Sequence, residues 1–271
     1  MKERFKDHVV WITGGGSGLG REMAILFARE GADVAVSGRR LERLEETVAL
    51  VEAQGRSGLA VVCDVRNDVE VDEAVAKIVE RFGHLDVAVA NAGFSVAGAI
   101  ETLSADEWRR QFETNVIGLT NTVRSALPEL RKSRGRLALL GSVAGLVTMP
   151  GTGAYHASKF AVRAIGETLS KELYGSGVSC TTIHPGFVAS EIGRVDNRGV
   201  YKEERKDPRP AMIMWEPDDA AKVMVRAIYR RKREFVFTKH GIAAGILGRH
   251  FPGLVHFAVT RASISYKRTR S

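Results

Sequence analysis

Cysteine is nearly absent. The 271 residues hold two, Cys63 and Cys180, far apart and each inside an apolar, β-branched run. Two such thiols exclude a disulfide framework, and no CxxC or Cys/His cluster offers metal-ligand spacing, so no metal is expected. They read as buried core thiols in a reducing, cytoplasmic compartment. The opening MKERFKDHVVWITGG carries charge but no apolar stretch long enough for a signal peptide, and reads as a short lead into a first strand. No linker or repeat breaks the chain.

The formal net charge of +8 suggests nucleic acid or membrane until it is located. From Arg226 onward there are eleven Lys or Arg against one acid, Glu234, which leaves 29 bases and 31 acids in the body. The excess sits in the tail. A protein-wide basic face for nucleic acid is not supported, and no motif that reads DNA or RNA accompanies the charge.

What is present is an alternation of short apolar runs with amphipathic segments. HVVWIT (8–13) suits a strand buried on both faces, and TGGGSGLG (13–20) leads from it into a segment with Met23, Leu26 and Phe27 at helical spacing. Glycines there let backbone N–H groups approach a pyrophosphate at a helix N-terminus, although the GxxxGxG spacing departs from GxGxxG and also suits a tight loop. A second strand, 33–37, ends in Gly38-Arg39-Arg40. An acid at that point would hold the 2′-hydroxyl of NAD, and arginine the 2′-phosphate of NADP, unless both arginines merely begin the next helix. A third strand, 59–65, places Asp64 where it accepts from adenine or helps start the helix from Asn67. A fourth, 85–90, precedes Asn91-Ala92-Gly93, small residues that brace the sheet and leave room for a cofactor. The segment 104–131 opens on a capping box, Ser104 with Glu107, and carries Asn115 in its middle. A fifth strand, 136–141, delivers Ser142 at its carboxyl end, where open α/β sheets bind ligands. Tyr155 and Lys159 lie four apart on a helix running to about Tyr174, so phenol and ammonium share one face, while His156 points elsewhere as a polar neighbour. A sixth strand, 178–184, ends in Pro185-Gly186-Phe187-Val188-Ala189-Ser190. This alternation predicts an α/β fold, a doubly wound, Rossmann-like three-layer sandwich with a seven-stranded parallel sheet, the last strand being REFVF near 233–237.

TGGGSGLG, Asp64, Asn91-Ala92-Gly93, Asn115, Ser142, Tyr155, Lys159 and Pro185-Gly186 occur in one order over about residues 8–240. In this the chain resembles the short-chain dehydrogenase/reductase family of the compact, single-domain kind. The resemblance implies hydride transfer between NADP(H), with NAD(H) as the other option, and a small carbonyl or alcohol substrate, apolar or lipid-like. Tyr155 is then the general acid, with Lys159 lowering its pKa and bonding the nicotinamide ribose; Ser142 polarises the substrate oxygen, and Asn115 holds a water that connects Lys159 to solvent. Candidate cofactor contacts are Gly14, Gly16, Ser17, Gly18, Leu19, Gly20, Arg39, Arg40, Asp64, Val65, Asn91, Ala92, Gly93, Tyr155, Lys159, Pro185, Gly186, Val188 and Ser190. Ser190 stands where the family usually has threonine, and Ser17 where many NADP-preferring members have a base. A homodimer or homotetramer is the family expectation. A non-catalytic cofactor-binding regulatory or scaffold protein is the alternative, disfavoured by the presence of Ser142, Tyr155 and Lys159.

One domain over 1–240 is expected, with a lid at about 187–215 whose Met212, Ile213, Met214 and Trp215 either line an apolar pocket or pack on the core. The extension 241–271 is apolar and then basic, interrupted by Arg249, His250, Pro252, Gly253 and His256, which argues against a spanning helix. Three readings stay open for it: a helix packed on the domain or a partner subunit, a cover for an apolar substrate channel, or a peripheral contact with an anionic membrane.

Overall fold

Val9–Thr13 (β1) is a run of five buried residues, the pattern of a strand covered on both sides. Six more strands pair with it or its neighbours: Asp33–Gly38 (β2), Gly58–Val62 (β3), Val87–Ala90 (β4), Arg136–Leu140 (β5), Ser179–His184 (β6) and Glu234–Val236 (β7). The order is β3-β2-β1-β4-β5-β6-β7 and every pairing is parallel. This computed structural model describes residues 3–205, 207, 209 and 211–268. Met1 and Lys2 of the expected domain, Lys206, Pro208 and Pro210 of the expected lid, and Thr269, Arg270 and Ser271 of the extension lie outside the described residues.

Alternation along each strand builds two cores. Val10, Ile12, Val34, Val36 and Val89 face one layer of helices, Gly18–Arg29 (α1), Leu41–Glu52 (α2) and Pro217–Tyr229 (α7). Val9, Trp11, Ala35, Ala88 and Leu137 face the other, Asp68–Phe82 (α3), Gly118–Ser133 (α5) and Gly153–Glu172 (α6). Each fully buried Val, Ile or Leu side chain among them contributes roughly 2 kcal/mol. Trp11, with no exposed surface, also donates from its indole to Ser37 Oγ at 3.0 Å, which satisfies the one polar atom it buries. The doubly wound sandwich expected from the alternation is the observed architecture.

Strand order reverses between β1 and β4, which opens a crevice at their carboxyl ends. Local chemistry sets the helix boundaries around it. Asn67 caps α3, its side chain accepting from the N–H groups of Val69 and Glu70, while Asp64 accepts from the Arg66 N–H at 3.1 Å and so shapes the turn before the helix rather than capping it. The capping box of Ser104 and Glu107 forms as expected. The helix it starts does not run through: Ala105–Phe112 (α4) opens into a wide π turn at Glu113–Ile117 before α5 begins. Asn115 sits in that turn. Wide turns are frequent at functional sites because they re-aim a side chain without ending the helix.

Between Phe187 and Trp215 the described residues form short 3₁₀ turns, at Glu191–Arg194 and Ala211–Ile213, and two isolated β-bridges, Val188 with Trp215 and Val195 with Tyr201. Trp215 packs its ring 5.3 Å from that of Phe237 and joins the core, whereas Met212 is 98% exposed and takes neither of the two roles expected for it. Beyond β7, Lys239–His250 (α8) and Pro252–Arg268 (α9) meet at a bend of 119°.

Candidate active site

The β1–α1 turn is shaped by close approach. Gly14 has φ +65°, and a Cβ there would lie 2.9 Å from Ala92 Cα. Asn91 explains the contact: its amide donates to Thr13 O at 2.9 Å and Gly14 O at 3.2 Å, tying the end of β4 to the turn. Helix α1 starts with no acid in its first turn and no side chain capping it, since the Ser17 hydroxyl makes no cap bond. Its first N–H groups and partial positive charge are therefore free for an anion, as a pyrophosphate requires.

At the end of β2 no acid follows Gly38. Arg40 reaches Ser17 Oγ at 3.5 Å and forms an ion pair with Glu191 at 3.0 Å, and Arg39 donates to Gly199 O at 3.0 Å. Both guanidinium groups thus lean toward the segment after β6. The Asp64 carboxylate is held by Arg66, with Nε 3.0 Å from both oxygens. Burial pushes the Asp64 pKa up, but the hydrogen bonds and charge of Arg66 outweigh it and keep the group below the ordinary carboxylate value.

Ser142 follows β5 and starts a 3₁₀ turn, Val143–Gly145, with its Oγ accepting from the Ala144 N–H at 3.1 Å. That leaves its O–H hydrogen to donate toward the Tyr155 phenol, or to a substrate oxygen placed between them. Two histidines hold the turn. His184 Nδ1 donates to Ser142 O at 3.1 Å while its Nε2 lies 3.2 Å from Glu234. His156 Nε2 accepts from the Met149 N–H at 3.0 Å, which makes Nδ1 the protonated nitrogen that donates to Ala144 O at 2.8 Å. The reading of His156 as a bland polar neighbour is therefore corrected: it is buried and braces the serine turn against α6.

Tyr155 and Lys159 share one face of α6. Tyr155 is half-buried, and burial raises its pKa; the hydrogen bond from Ser142 and the charge of Arg209 act in the other direction without cancelling it. Lys159 is buried, donates from Nζ to Leu140 O at 2.7 Å, and stands 5.8 Å from the Tyr155 ring centre. Burial pushes its own pKa down to about 8. One of its three N–H donors is thus spent on a backbone carbonyl, and Arg209 adds a further charge that favours the phenolate. That guanidinium donates to Val188 O at 2.9 Å and Ser190 O at 3.0 Å and pairs with Asp207.

Asn115 is fully engaged. Its amide donates to Phe94 O at 3.0 Å and Ser158 Oγ at 3.1 Å, and its oxygen accepts from the Phe94 N–H at 3.1 Å. It lies behind the site, as a tie between the π turn, the loop after β4 and α6.

A cleft of about 570 Å³ runs along these carboxyl ends. Every residue read from the sequence as a cofactor contact lines it, as do Ser142, Tyr155 and Lys159; Asn115 does not. The structure adds Arg66, Glu191, Gly199, Tyr201 and Arg209 to the walls. Most of these stand in the segment without periodicity, where no local signal marks a wall residue. Size, glycine turn, basic rim and free helix start all fit a dinucleotide laid from Arg40 to Tyr155.

A phosphate turn, a serine, a tyrosine and a lysine on one cleft of a doubly wound sheet define a dinucleotide-dependent oxidoreductase. Sequence comparison makes the class specific: the family described as short chain dehydrogenase matches residues 8–200, and the chain belongs to it. An uncharacterized oxidoreductase of Staphylococcus aureus is 34% identical over 227 residues, 83% of this chain and 93% of that one. Glycine betaine reductase of Emericella nidulans is 32% identical over 81% of this chain, which spans 17% of that longer protein. Among solved structures, a short chain dehydrogenase/reductase from Burkholderia phymatum in complex with NAD superposes with a TM-score of 0.81 at 29% identity, covering 91% of this chain and 94% of the other. An alcohol dehydrogenase from the archaeon Thermococcus sibiricus complexed with 5-hydroxy-NADP gives 0.74 at 29% identity over 85% and 95%. The protein is an oxidoreductase that uses NAD(P).

Proposed function

We propose that the protein is an NADP(H)-dependent reductase or dehydrogenase acting on a carbonyl or secondary alcohol of apolar, lipid-like character. The observation that carries the reading is one cleft with Ser142, Tyr155 and Lys159 at one end and Arg39 and Arg40, with no acid at the carboxyl end of β2, at the other. Solved relatives of this fold were obtained with NAD and with an NADP analogue, so cofactor choice rests on this chain's own arginines. Glu191 is the counter-argument. It pairs with Arg40 and must release it for a 2′-phosphate to bind.

When bound, nicotinamide supplies or accepts the hydride. The glycine turn would hold the pyrophosphate, Arg39 and Arg40 the 2′-phosphate, Asp64 and Val65 the adenine, Asn91 to Gly93 and Lys159 the ribose, and Val188 and Ser190 the carboxamide. Ser142 donates its hydroxyl hydrogen to the substrate oxygen, and Tyr155 Oη gives that oxygen its proton in reduction or removes it in oxidation. Arg209 favours the phenolate that reduction leaves. The two free, buried cysteines are consistent with a cytoplasmic protein, and half-exposed Ile117 and Phe160, near and on the helices that bear Asn115 and Tyr155, suit a homodimer or homotetramer.

The test combines turnover with cofactor binding. NADPH should raise the melting temperature more than NADH, and Tyr155→Phe should lower turnover of medium-chain ketones or alcohols at least about a hundredfold while keeping the NADPH shift. Equal shifts from both cofactors would remove the NADP assignment. Unchanged turnover in Tyr155→Phe would remove the acid.

A further inference from the structure

Helix α8 is packed the wrong way round for an ordinary surface helix. Its buried side is glycine: a Cβ on Gly241 would come 2.6 Å from Val143 Cγ2, on Gly245 3.0 Å from Leu146 Cδ1, and on Gly248 2.6 Å from Val147 Cγ1. These three positions, at helical spacing, seat the backbone directly on the turn that follows Ser142. The large apolar side chains point the other way, with Ile246 54% exposed and Ile242 and Leu247 exposed beside it. Across the bend Phe251, Leu254 and Phe257 are 54–58% exposed. An amphipathic helix of a globular protein turns its large apolar residues inward. Here both arms of the bent pair turn them out.

Charge chooses what covers this face. Residues 235–271 contain six Lys or Arg and no Asp or Glu, while the chain before Arg226 is close to neutral. A second copy of the same hairpin would set this charge against itself, whereas an anionic lipid surface complements it. Neither arm suits a crossing. Among the described residues no single helix is long and apolar enough, and the twelve residues of α8 span about 18 Å against about 30 Å of hydrocarbon. The 119° bend turns the chain back toward the side it entered from.

We propose that α8 and α9 form a monotopic hairpin that seats the protein on an anionic bilayer, with Ile246, Phe251, Leu254 and Phe257 immersed in the acyl–headgroup boundary and Arg249 and Arg261 at the phosphates. The root of this hairpin touches both loops of the catalytic end. Besides the glycine contacts on Val143–Val147, His240 Nε2 accepts from the Phe187 N–H at 3.2 Å and its ring stacks on Phe187. Seating therefore places the serine turn next to the membrane, where substrates that partition into lipid are concentrated.

The test is flotation of the full chain with phosphatidylcholine vesicles, with and without phosphatidylserine. The parent should float with the anionic vesicles at least tenfold more than with the neutral ones, and less as salt shortens the Debye length from about 10 Å at 0.1 M to about 3 Å at 1 M. Leu254→Glu combined with Phe257→Glu should lose at least tenfold of that binding while keeping the parent's melting temperature and NADPH shift. Equal flotation of parent and variant, or no flotation of the parent, overturns the proposal. So does an oligomer in light scattering that these two substitutions dissociate, because it would put a second copy on the face instead.

Discussion

Lys159 is the residue whose cost of burial spacing does not convey. Four residues from Tyr155 on a helix, it reads as the cation that tunes the phenol; in the fold it is buried, bonded to Leu140 O, and held near a pKa of about 8. An unfolded lysine titrates at about 10.4, so between these values the unfolded chain binds the extra proton and stability rises with pH. Below about pH 8 the charged amine is a constant penalty. Lys159→Met should therefore melt higher than the cofactor-free parent at pH 7, with a gap that narrows as the pH approaches 10, although turnover is lost. A gap that stays the same from pH 7 to 10 in melting scans would show that the amine is not strained by burial. Arg209 belongs to the same lesson. It stands 54 residues from Tyr155 in a segment without periodicity, and its charge reaches the phenol only because the loop folds back over Val188 and Ser190.

At the scale of elements, two short pieces of irregular backbone do the positioning. The π turn at Glu113–Ile117 rotates Asn115 inward, where it ties three segments together. A period of 3.6 continues on either side, so the sequence pattern reads as one helix and the insertion is invisible. The Ser142 turn depends on His156, which satisfies one donor and one acceptor of the loop from inside α6. His156→Ala leaves both part-buried groups without that partner, a cost of about 1–2 kcal/mol. Expected outcomes are a lower melting temperature and a kcat reduced more than KM is raised, with partial recovery in His156→Gln. If kcat is untouched while the protein is destabilised, the brace supports the fold and not the serine.

Across the whole molecule the catalytic end is tied to the sheet edge. Glu234 on β7 lies beside His184 on β6, which in turn holds Ser142 O. The His184 imidazole 3.2 Å away first, and then the charges around it, including Arg163 and Arg249, pull the Glu234 pKa from 4.5 down to about 2 against the opposing effect of burial. A depressed carboxylate contributes stability that is present above about pH 4.5 and lost as the pH falls toward 2. The side chain is 31% exposed, so the contribution is discounted for solvent to about 1–2 kcal/mol. Glu234→Gln should be less stable than the parent by that amount at pH 7, and denaturant titrations should show the difference closing between pH 4.5 and 2. A difference that persists at pH 2 would assign it to packing instead.

The sequence by itself determined the layered α/β architecture, because β-branched runs, glycine turns and helical periodicity are local signals and their alternation permits few topologies. The same locality made the phosphate turn, Ser142 and the Tyr155–Lys159 face legible, each sitting at the carboxyl end of a strand or on a helix face that periodicity defines. Tertiary structure alone decided which charges meet. Arg40 with Glu191 and His184 with Glu234 are pairs brought together from distant segments, and chain spacing carries no record of a contact that only folding creates. The hairpin obeys the same division: its apolar and basic composition is written in the chain, but that the glycines face inward and the large side chains outward is a consequence of how α8 meets the Ser142 turn.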